Sequence, residues 1–111
     1  MKVMAEIIGL DNDYPIIWKK DDILPSGGDS IWLDAYLSDK AKELLDEVPS
    51  KEIWDACRDD DTALWTVSEE EMLVKRRKFY IDAKTKDTIC ALVLTCKHLK
   101  LLDKEIDVDN Y

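Results

Sequence analysis

The segment from Asp29 to Asp61 constrains the fold most strongly, because its apolar residues recur at the spacing of an α-helix. One apolar stripe runs along it, formed by Leu33, Leu37, Ala41, Leu44, Leu45 and Val48. Apolar residues three and four positions apart lie on one face of a helix. Asp29 or Ser30 can cap the start of this helix, Ser38 can cap a second start if the helix breaks there, and Pro49 ends it. The pattern therefore predicts a helical segment that buries one face.

The same segment carries most of the negative charge of the chain. Its eleven acidic residues are Asp29, Asp34, Asp39, Glu43, Asp46, Glu47, Glu52, Asp55, Asp59, Asp60 and Asp61. Four bases oppose them, which leaves a charge of −7 out of −9 for the whole chain. The aromatic residues Trp32, Tyr36 and Trp54 lie among these acids, and Trp65 follows shortly after. Acids mixed with large aromatics favour a surface that meets a basic partner over a reaction centre.

The overall composition predicts one folded domain, residues 1–111, because 111 residues of 46% hydrophobic composition can form one core but not two. The net charge of −9 disfavours nucleic acid and anionic membranes, since both would repel the protein. No signal peptide is expected, because the start of the chain contains Lys2 and Glu6 and lacks a long apolar run. Three widely spaced cysteines, Cys57, Cys90 and Cys96, are typical of reduced thiols. We therefore expect a cytoplasmic protein.

Short elements flank the acidic segment or lie at its end. Lys2 to Leu10 and Tyr14 to Trp18 predict an N-terminal β-hairpin, because Asp11-Asn12-Asp13 between them has the chemistry of a turn. Ser50 is expected to cap a short helix, and Thr62 to Val67 is predicted to be extended.

A further helix is predicted to begin at Ser68, which forms a capping box with Glu71. Glutamates occupy its first turn, and the bases from Lys75 to Lys78 occupy later turns. The acids at the start of the helix and the bases towards its end both complement the helix dipole. Met72, Leu73, Phe79 and Tyr80 are expected on its buried side.

A final helix is predicted from Asp87 or Thr88 to about Lys104. Its part from Ile89 to Leu94 is apolar on all sides, which indicates a helix enclosed by its neighbours. The expected fold is α+β and predominantly helical: a short N-terminal β-hairpin followed by a bundle of about four helices, with an all-α fold as the alternative.

The sequence contains no motif for catalysis or metal binding. His98 is the only histidine, and Cys96 lies two residues away, which on a helix points the two side chains in different directions. No close pair of cysteines or histidines begins a zinc site, and no nucleophile elbow surrounds a serine. The turn at Asp11-Asn12-Asp13 lacks a calcium loop's next ligand, because Pro15 stands there. We expect no enzyme, no cofactor and no metal.

The second half of the chain carries a resemblance to a known family. Ser68-Glu69-Glu70, the run Lys75-Arg76-Arg77-Lys78-Phe79-Tyr80, a helix through Cys96 and the ending Asp109-Asn110-Tyr111 resemble the immunity proteins of colicin D-type tRNA-cleaving toxins. Residues 1–67 are not matched. The resemblance is to bacterial toxin-immunity proteins, those of contact-dependent inhibition included. It implies that the protein neutralises a cognate basic nuclease, and no individual residue role is carried over.

The implied role agrees with the charge, because a nuclease needs a basic groove for phosphates and carboxylates can occupy that groove. The candidate partner-binding residues are Asp34, Glu52, Trp54, Asp55, Asp59, Asp60, Asp61 and Trp65. The aspartates from Asp55 to Asp61 would mimic phosphates, and Trp54 or Trp65 would anchor the complex. Two alternatives are a phage-encoded, nucleic-acid-mimicking inhibitor of a host defence nuclease and an adaptor subunit with no inhibitory role. The adaptor predicts a larger apolar interface and little sensitivity to salt.

Overall fold

The computed structural model describes residues 1–19 and 23–102. Within these residues the fold consists of one five-stranded mixed sheet and two short α-helices. The elements in chain order are β1 (Lys2–Ile7), β2 (Asp13–Pro15), β3 (Ser30–Ile31), a 3₁₀ turn (Leu33–Tyr36), α1 (Asp39–Asp46), a second 3₁₀ turn (Ser50–Glu52), α2 (Ala63–Glu69), β4 (Met72–Ile81) and β5 (Thr88–Cys96). The sheet order is β2-β1-β5-β4-β3; β1 and β5 are parallel, and the other neighbours are antiparallel.

The prediction of a predominantly helical protein with a bundle of about four helices is wrong, and so is the all-α alternative. Strands account for 36% of the structure and helices for 22%, and the sheet is curled. The N-terminal hairpin is confirmed, since β1 and β2 are antiparallel neighbours with Met4 opposite Pro15.

The predicted final helix is instead β5, the central strand of the sheet. It lies between β1 and β4 and is buried from Ile89 to Leu94. A strand covered on both faces is apolar at every position, as an enclosed helix is, so the apolar run alone does not distinguish the two. The part of that predicted helix beyond Leu102 lies outside the described residues.

The helix predicted to begin at Ser68 is also wrong, because that residue lies near the end of α2. Thr62 caps the start of α2, where its hydroxyl accepts a hydrogen bond of 3.2 Å from the Trp65 amide. Thr62 to Val67 is therefore helical and not extended. The chain then enters β4, where the bases from Lys75 to Lys78 lie in a strand and no helix dipole acts on them.

The acidic segment forms less helix than its apolar stripe predicts. Ser38 caps α1 as expected, accepting a bond of 3.2 Å from the Ala41 amide. The residues before it form β3 and a 3₁₀ turn. Ser50 does not cap a helix, because its hydroxyl is bonded to that of Thr66 in the interior.

The two faces of the sheet are covered in different ways. On one face Cys90, Leu92 and Leu94 pack with the buried residues of the helices in a single core. On the other face Ala91 and Val93 are fully buried under long side chains of the neighbouring strands. Two contacts form this cover: the Lys78 ammonium lies 2.7 Å from the Glu6 carboxylate across β5, and the Tyr80 hydroxyl donates to Asp13 over 3.3 Å. Long polar side chains thus replace a second layer.

Two further features complete the fold. The ring of Trp18 stacks on that of Tyr36, with centroids 4.5 Å apart, and so ties the chain after β2 to the first 3₁₀ turn.

None of the helices in the described parts of the chain is long and apolar enough to cross a membrane.

Candidate functional site

An open groove of about 910 Å³ lies beside α2, and we call it the α2 groove. Its lining residues are Asp46, Arg58, Asp60, Asp61, Thr62, Leu64, Trp65, Ser68 and Glu69. It contains four acids and one base. The groove is therefore acidic, with the apolar surfaces of Leu64 and Trp65 between the charges.

The start of α2 positions this groove through one threonine. The Thr62 hydroxyl accepts the Trp65 amide hydrogen and also donates to the Asp46 carboxylate over 3.2 Å. The second bond joins the last residue of α1 to the residue that caps α2. Trp65 and Glu69 lie four residues apart in α2, so both side chains emerge on the same side of the helix.

The aspartate loop before α2 is held by its backbone. The Arg58 amide donates to the Asp61 carboxylate over 3.0 Å, and the Asp61 amide donates back to the Arg58 carbonyl over 3.2 Å. The Ser50 amide donates to the Asp61 carbonyl over 3.0 Å, which fixes the loop to the interior. Asp60 is exposed and makes no hydrogen bond or ion pair with another described residue. One carboxylate in this loop therefore supports the turn, while its neighbour is left for solvent or a partner.

Five of the predicted partner-binding residues lie in the α2 groove or beside it. Asp60, Asp61 and Trp65 line the groove. Asp34 adjoins it, since its carboxylate accepts a bond of 3.0 Å from the Ser68 hydroxyl. Asp59 precedes the lining aspartates and forms an exposed ion pair of 3.1 Å with Lys51.

The other three predicted residues lie elsewhere. Glu52 is exposed near Gly9 and Ile53, on a different depression of the surface. Asp55 is exposed in a turn, where its carboxylate accepts the amide hydrogen of Ala56 over 2.9 Å. Trp54 belongs to the core with 1% of its surface exposed, and its indole N–H has no partner among the described residues. Trp65 is 57% exposed, so it is the one of the two candidate anchors that reaches the surface.

Sequence reasoning missed two acidic residues of the groove, Asp46 and Glu69. The signal for Glu69 was present: with Thr62 read as a helix cap, Trp65 and Glu69 follow on one helical face. No local pattern indicates Asp46, because it reaches the groove only when the end of α1 packs against the start of α2.

The described thiols are poorly suited to nucleophilic chemistry. Burial is the main cause that raises the pKa of the Cys57 thiol; a hydrogen bond with Thr66 opposes this, and nearby carboxylates such as Asp61 add to it. Burial raises the pKa of Cys96 to about 12. The thiolate is the reactive form, so the raised pKa of each thiol disfavours nucleophilic reactivity. The part of the chain that the structure describes holds no cluster of three metal-ligating side chains.

No protein-family model, curated protein or solved structure matches this chain. The geometry of the α2 groove, its charge and its exposed tryptophan are therefore the basis for a functional proposal.

Proposed function

We propose that the protein is an immunity protein that binds a cognate basic nuclease toxin, tRNase-like in its substrate, and occludes its active site with the α2 groove. One observation carries this proposal: the groove gathers four carboxylates around the exposed ring of Trp65. A nuclease must offer a cationic cleft to the phosphates of its substrate. An acidic groove of this kind is complementary to such a cleft.

The carboxylates supply recognition and speed. Complementary charge raises association rates to roughly 10⁸–10⁹ M⁻¹s⁻¹ at low salt, because the fields of the two proteins steer the encounter. Asp60 suits this role, since it is exposed and forms no ion pair with a described residue. Fast capture matters for an inhibitor that must act before the toxin cleaves its substrate.

Trp65 supplies the lasting contact. Tryptophan is enriched among the few residues that dominate binding energies, because its large ring is desolvated on binding. The helix that carries it is firmly seated, with Ala63 and Val67 fully buried and Thr66 bonded to Ser50 in the core. A ring presented on a rigid helix loses little conformational freedom when the complex forms.

An acidic surface by itself is commonly only a solvated one, so the exposed tryptophan is the observation that supports a binding role. A ring that is 57% exposed beside Leu64 gives the groove an apolar surface that a partner can desolvate. The same ring is expected at the centre of an interface with a polar rim. The inhibitor proposal accounts for both the charge and the exposed ring.

The test is a capture experiment from cells of the source organism with two variants of the full chain as bait. The groove variant combines Asp60→Asn, Asp61→Asn and Trp65→Ala. Its control, Glu52→Gln with Asp55→Asn, removes acids that lie outside the groove. We expect the wild type and the control to retain a basic nuclease that the groove variant loses.

The captured nuclease is then assayed on transfer RNA with each variant added. Inhibition by the wild type, lost in the groove variant and weakened at high salt, is the expected result. Equal capture by all three baits, or capture of a protein with no nuclease activity, would contradict the proposal.

A further inference from the structure

The outer edge of β4 is only partly covered by other backbone. β3 pairs with its first residues, Met72 and Leu73. Val74 still has partners, because its amide donates to the Asp29 carbonyl and its carbonyl accepts from the Gly28 amide, both over 2.8 Å. From residue 76 to residue 81 the strand pairs only with β5 within the described residues, and Lys75 is the bulge residue before them. We call residues 75–81 the free edge.

The register identifies which backbone groups of the free edge point outward. The Leu94 carbonyl accepts a hydrogen bond from the Ile8 amide on the β1 side, so the backbone amide and carbonyl of the adjacent Val93 point towards β4. Arg76 is opposite Val93, so its amide and carbonyl point towards β5. Along an antiparallel strand, the backbone groups of successive residues point alternately towards and away from the partner strand. The amides and carbonyls of Arg77, Phe79 and Ile81 therefore point away from the sheet.

The side chains of the free edge are cationic at its start. Lys78 is engaged with Glu6 across the sheet, but Lys75, Arg76 and Arg77 form no ion pair with any residue that the structure describes. The Arg77 guanidinium lies 5.9 Å from the centre of the Phe79 ring. A molecule with a net charge of −9 thus concentrates unpaired positive charge along one edge.

The end of the free edge is apolar and exposed. Phe79, Tyr80 and Ile81 expose 56%, 41% and 66% of their surface. Lysines and a bulge are common devices that keep an edge strand from pairing, and β4 has a bulge between Val74 and Arg76. Protection of that kind explains the charges but not the three exposed apolar residues beside them. A docked strand would use all three features: the backbone groups, the charges and the apolar surface.

We propose that the free edge binds an extended acidic segment of a partner protein by strand addition. Main-chain hydrogen bonds to Arg77, Phe79 and Ile81 supply affinity, and carboxylates of the segment pair with Arg76 on one face of the strand. Apolar residues that alternate with those carboxylates lie on the other face, where they cover Phe79 and Ile81 beside Arg77. A second copy of this chain is the less suitable occupant, because its edge carries the same unpaired positive charge, whereas an acidic segment carries the complementary one.

The test uses the full chain and a labelled peptide of alternating Glu and Val, about as long as the free edge. Fluorescence anisotropy should show binding at low salt that weakens as salt is added. The same peptide with Lys in place of Glu should bind at least about tenfold more weakly, because its charge is of the wrong sign.

One backbone variant and its control separate strand addition from simple charge attraction. Phe79→Pro removes an amide that points to solvent, so the ladder with β5 is kept while an incoming strand loses a donor. Phe79→Ala loses the ring but keeps the amide. We expect Phe79→Pro to weaken peptide binding about tenfold more than Phe79→Ala does. Thermal unfolding confirms that both variants are folded, and a peptide methylated on alternate backbone nitrogens provides the same test on the wild type.

Three results would overturn the proposal: equal binding of the acidic and basic peptides, an unchanged affinity in Phe79→Pro and for the methylated peptide, or dimers of the chain alone that Phe79→Pro abolishes. The last would identify a second copy as the occupant. Trp65→Ala should leave peptide binding unchanged, since it alters only the α2 groove. Loss of toxin capture and loss of peptide binding therefore report on different proposals.

Discussion

The α2 groove and the free edge of β4 are opposite in charge and differ in how they are built. Glu69 lies in the groove, and Met72 begins the strand whose later residues form the edge. The groove presents side chains on a capped helix, whereas the edge presents backbone groups flanked by bases. One short stretch of chain thus joins a surface suited to a basic cleft to one suited to an acidic strand.

The comparison shows that net charge describes this molecule poorly. Residues 68–111 contain nine bases and nine acids, so the second half is neutral by sequence count. The structure concentrates several of those bases on one strand edge, while Glu69 joins the acids of the first half in the groove. Charge is therefore segregated by surface and not by half of the chain.

The two candidate anchors give the largest expected difference. Trp54→Ala removes a ring that is 1% exposed, so we expect a loss of about 3–5 kcal/mol in the free energy of unfolding. Trp65→Ala lies on the exposed side of α2 and should change stability by less than about 0.5 kcal/mol. Denaturant unfolding of both variants measures the difference. Similar losses of unfolding free energy in the two variants would mean that Trp65 stabilises the core and is not a surface anchor for a partner.

Thr62→Ala is expected to have the next largest effect. The substitution removes the cap of α2 and the bond to Asp46, and should reduce the free energy of unfolding by about 1 kcal/mol. Thr62→Ser keeps the hydroxyl and is the matched control. Because the cap positions the groove and not the free edge, we expect Thr62→Ala to weaken toxin capture and to leave acidic-peptide binding unchanged. An equal effect on both surfaces would show that they are not independent.

The sequence predicted parts of the fold that depend on local chemistry. The N-terminal hairpin and the Ser38 cap were predictable because a turn or a cap is determined by a few neighbouring residues. The identity of β5 was not, because an apolar run is compatible with an enclosed helix and with a central strand. The strand β4 was predicted as a helix for a different reason. From Glu69 to Lys78 acids come first and bases follow, which is the order that the dipole of a helix favours.

The candidate site was predictable in part for the same reason. Asp60, Asp61 and Trp65 are close in sequence and remain together in the groove. Asp46 comes from another helix, and only packing brings it there. Trp54 was predicted to bind a partner but lies in the core. A tryptophan among acids cannot be assigned to the core or to the surface from the sequence around it.

The ion pair between Lys78 and Glu6 lies on the sheet face that carries Ala91 and Val93. It tests whether some bases of β4 are held in ion pairs while others are free to bind an acidic strand. Lys78 and Glu6 are partly exposed, so a double-mutant cycle of Lys78→Met and Glu6→Gln should give a coupling of about 0.5–1 kcal/mol that decreases with salt. The corresponding cycle of Arg76→Met and Glu6→Gln should give no coupling. A coupling in the second cycle would mean that Arg76 is also engaged and less available to an acidic strand.

The turn after the free edge gives the smallest expected effect, one that depends on pH. Backbone hydrogen bonds from the amides of Lys84 and Thr85, at 2.8 and 3.3 Å, lower the pKa of the Asp82 carboxyl below its ordinary value of 3.8. Because the folded state favours the ionised form, Asp82 stabilises the turn above the ordinary pKa, and that stabilisation is lost as the pH falls through the lowered pKa.

Amide exchange of Lys84 and Thr85 should therefore show less protection as the pH falls from about 5 to about 2, once the intrinsic pH dependence of exchange is removed. Asp82→Asn keeps an acceptor oxygen but does not titrate, and should abolish this local change. The amides of α2 should not follow the same curve, because Asp82 is not among the described residues that line the groove. A shared titration would show that acid opens the whole sheet, and the free edge could then not be altered separately from the groove.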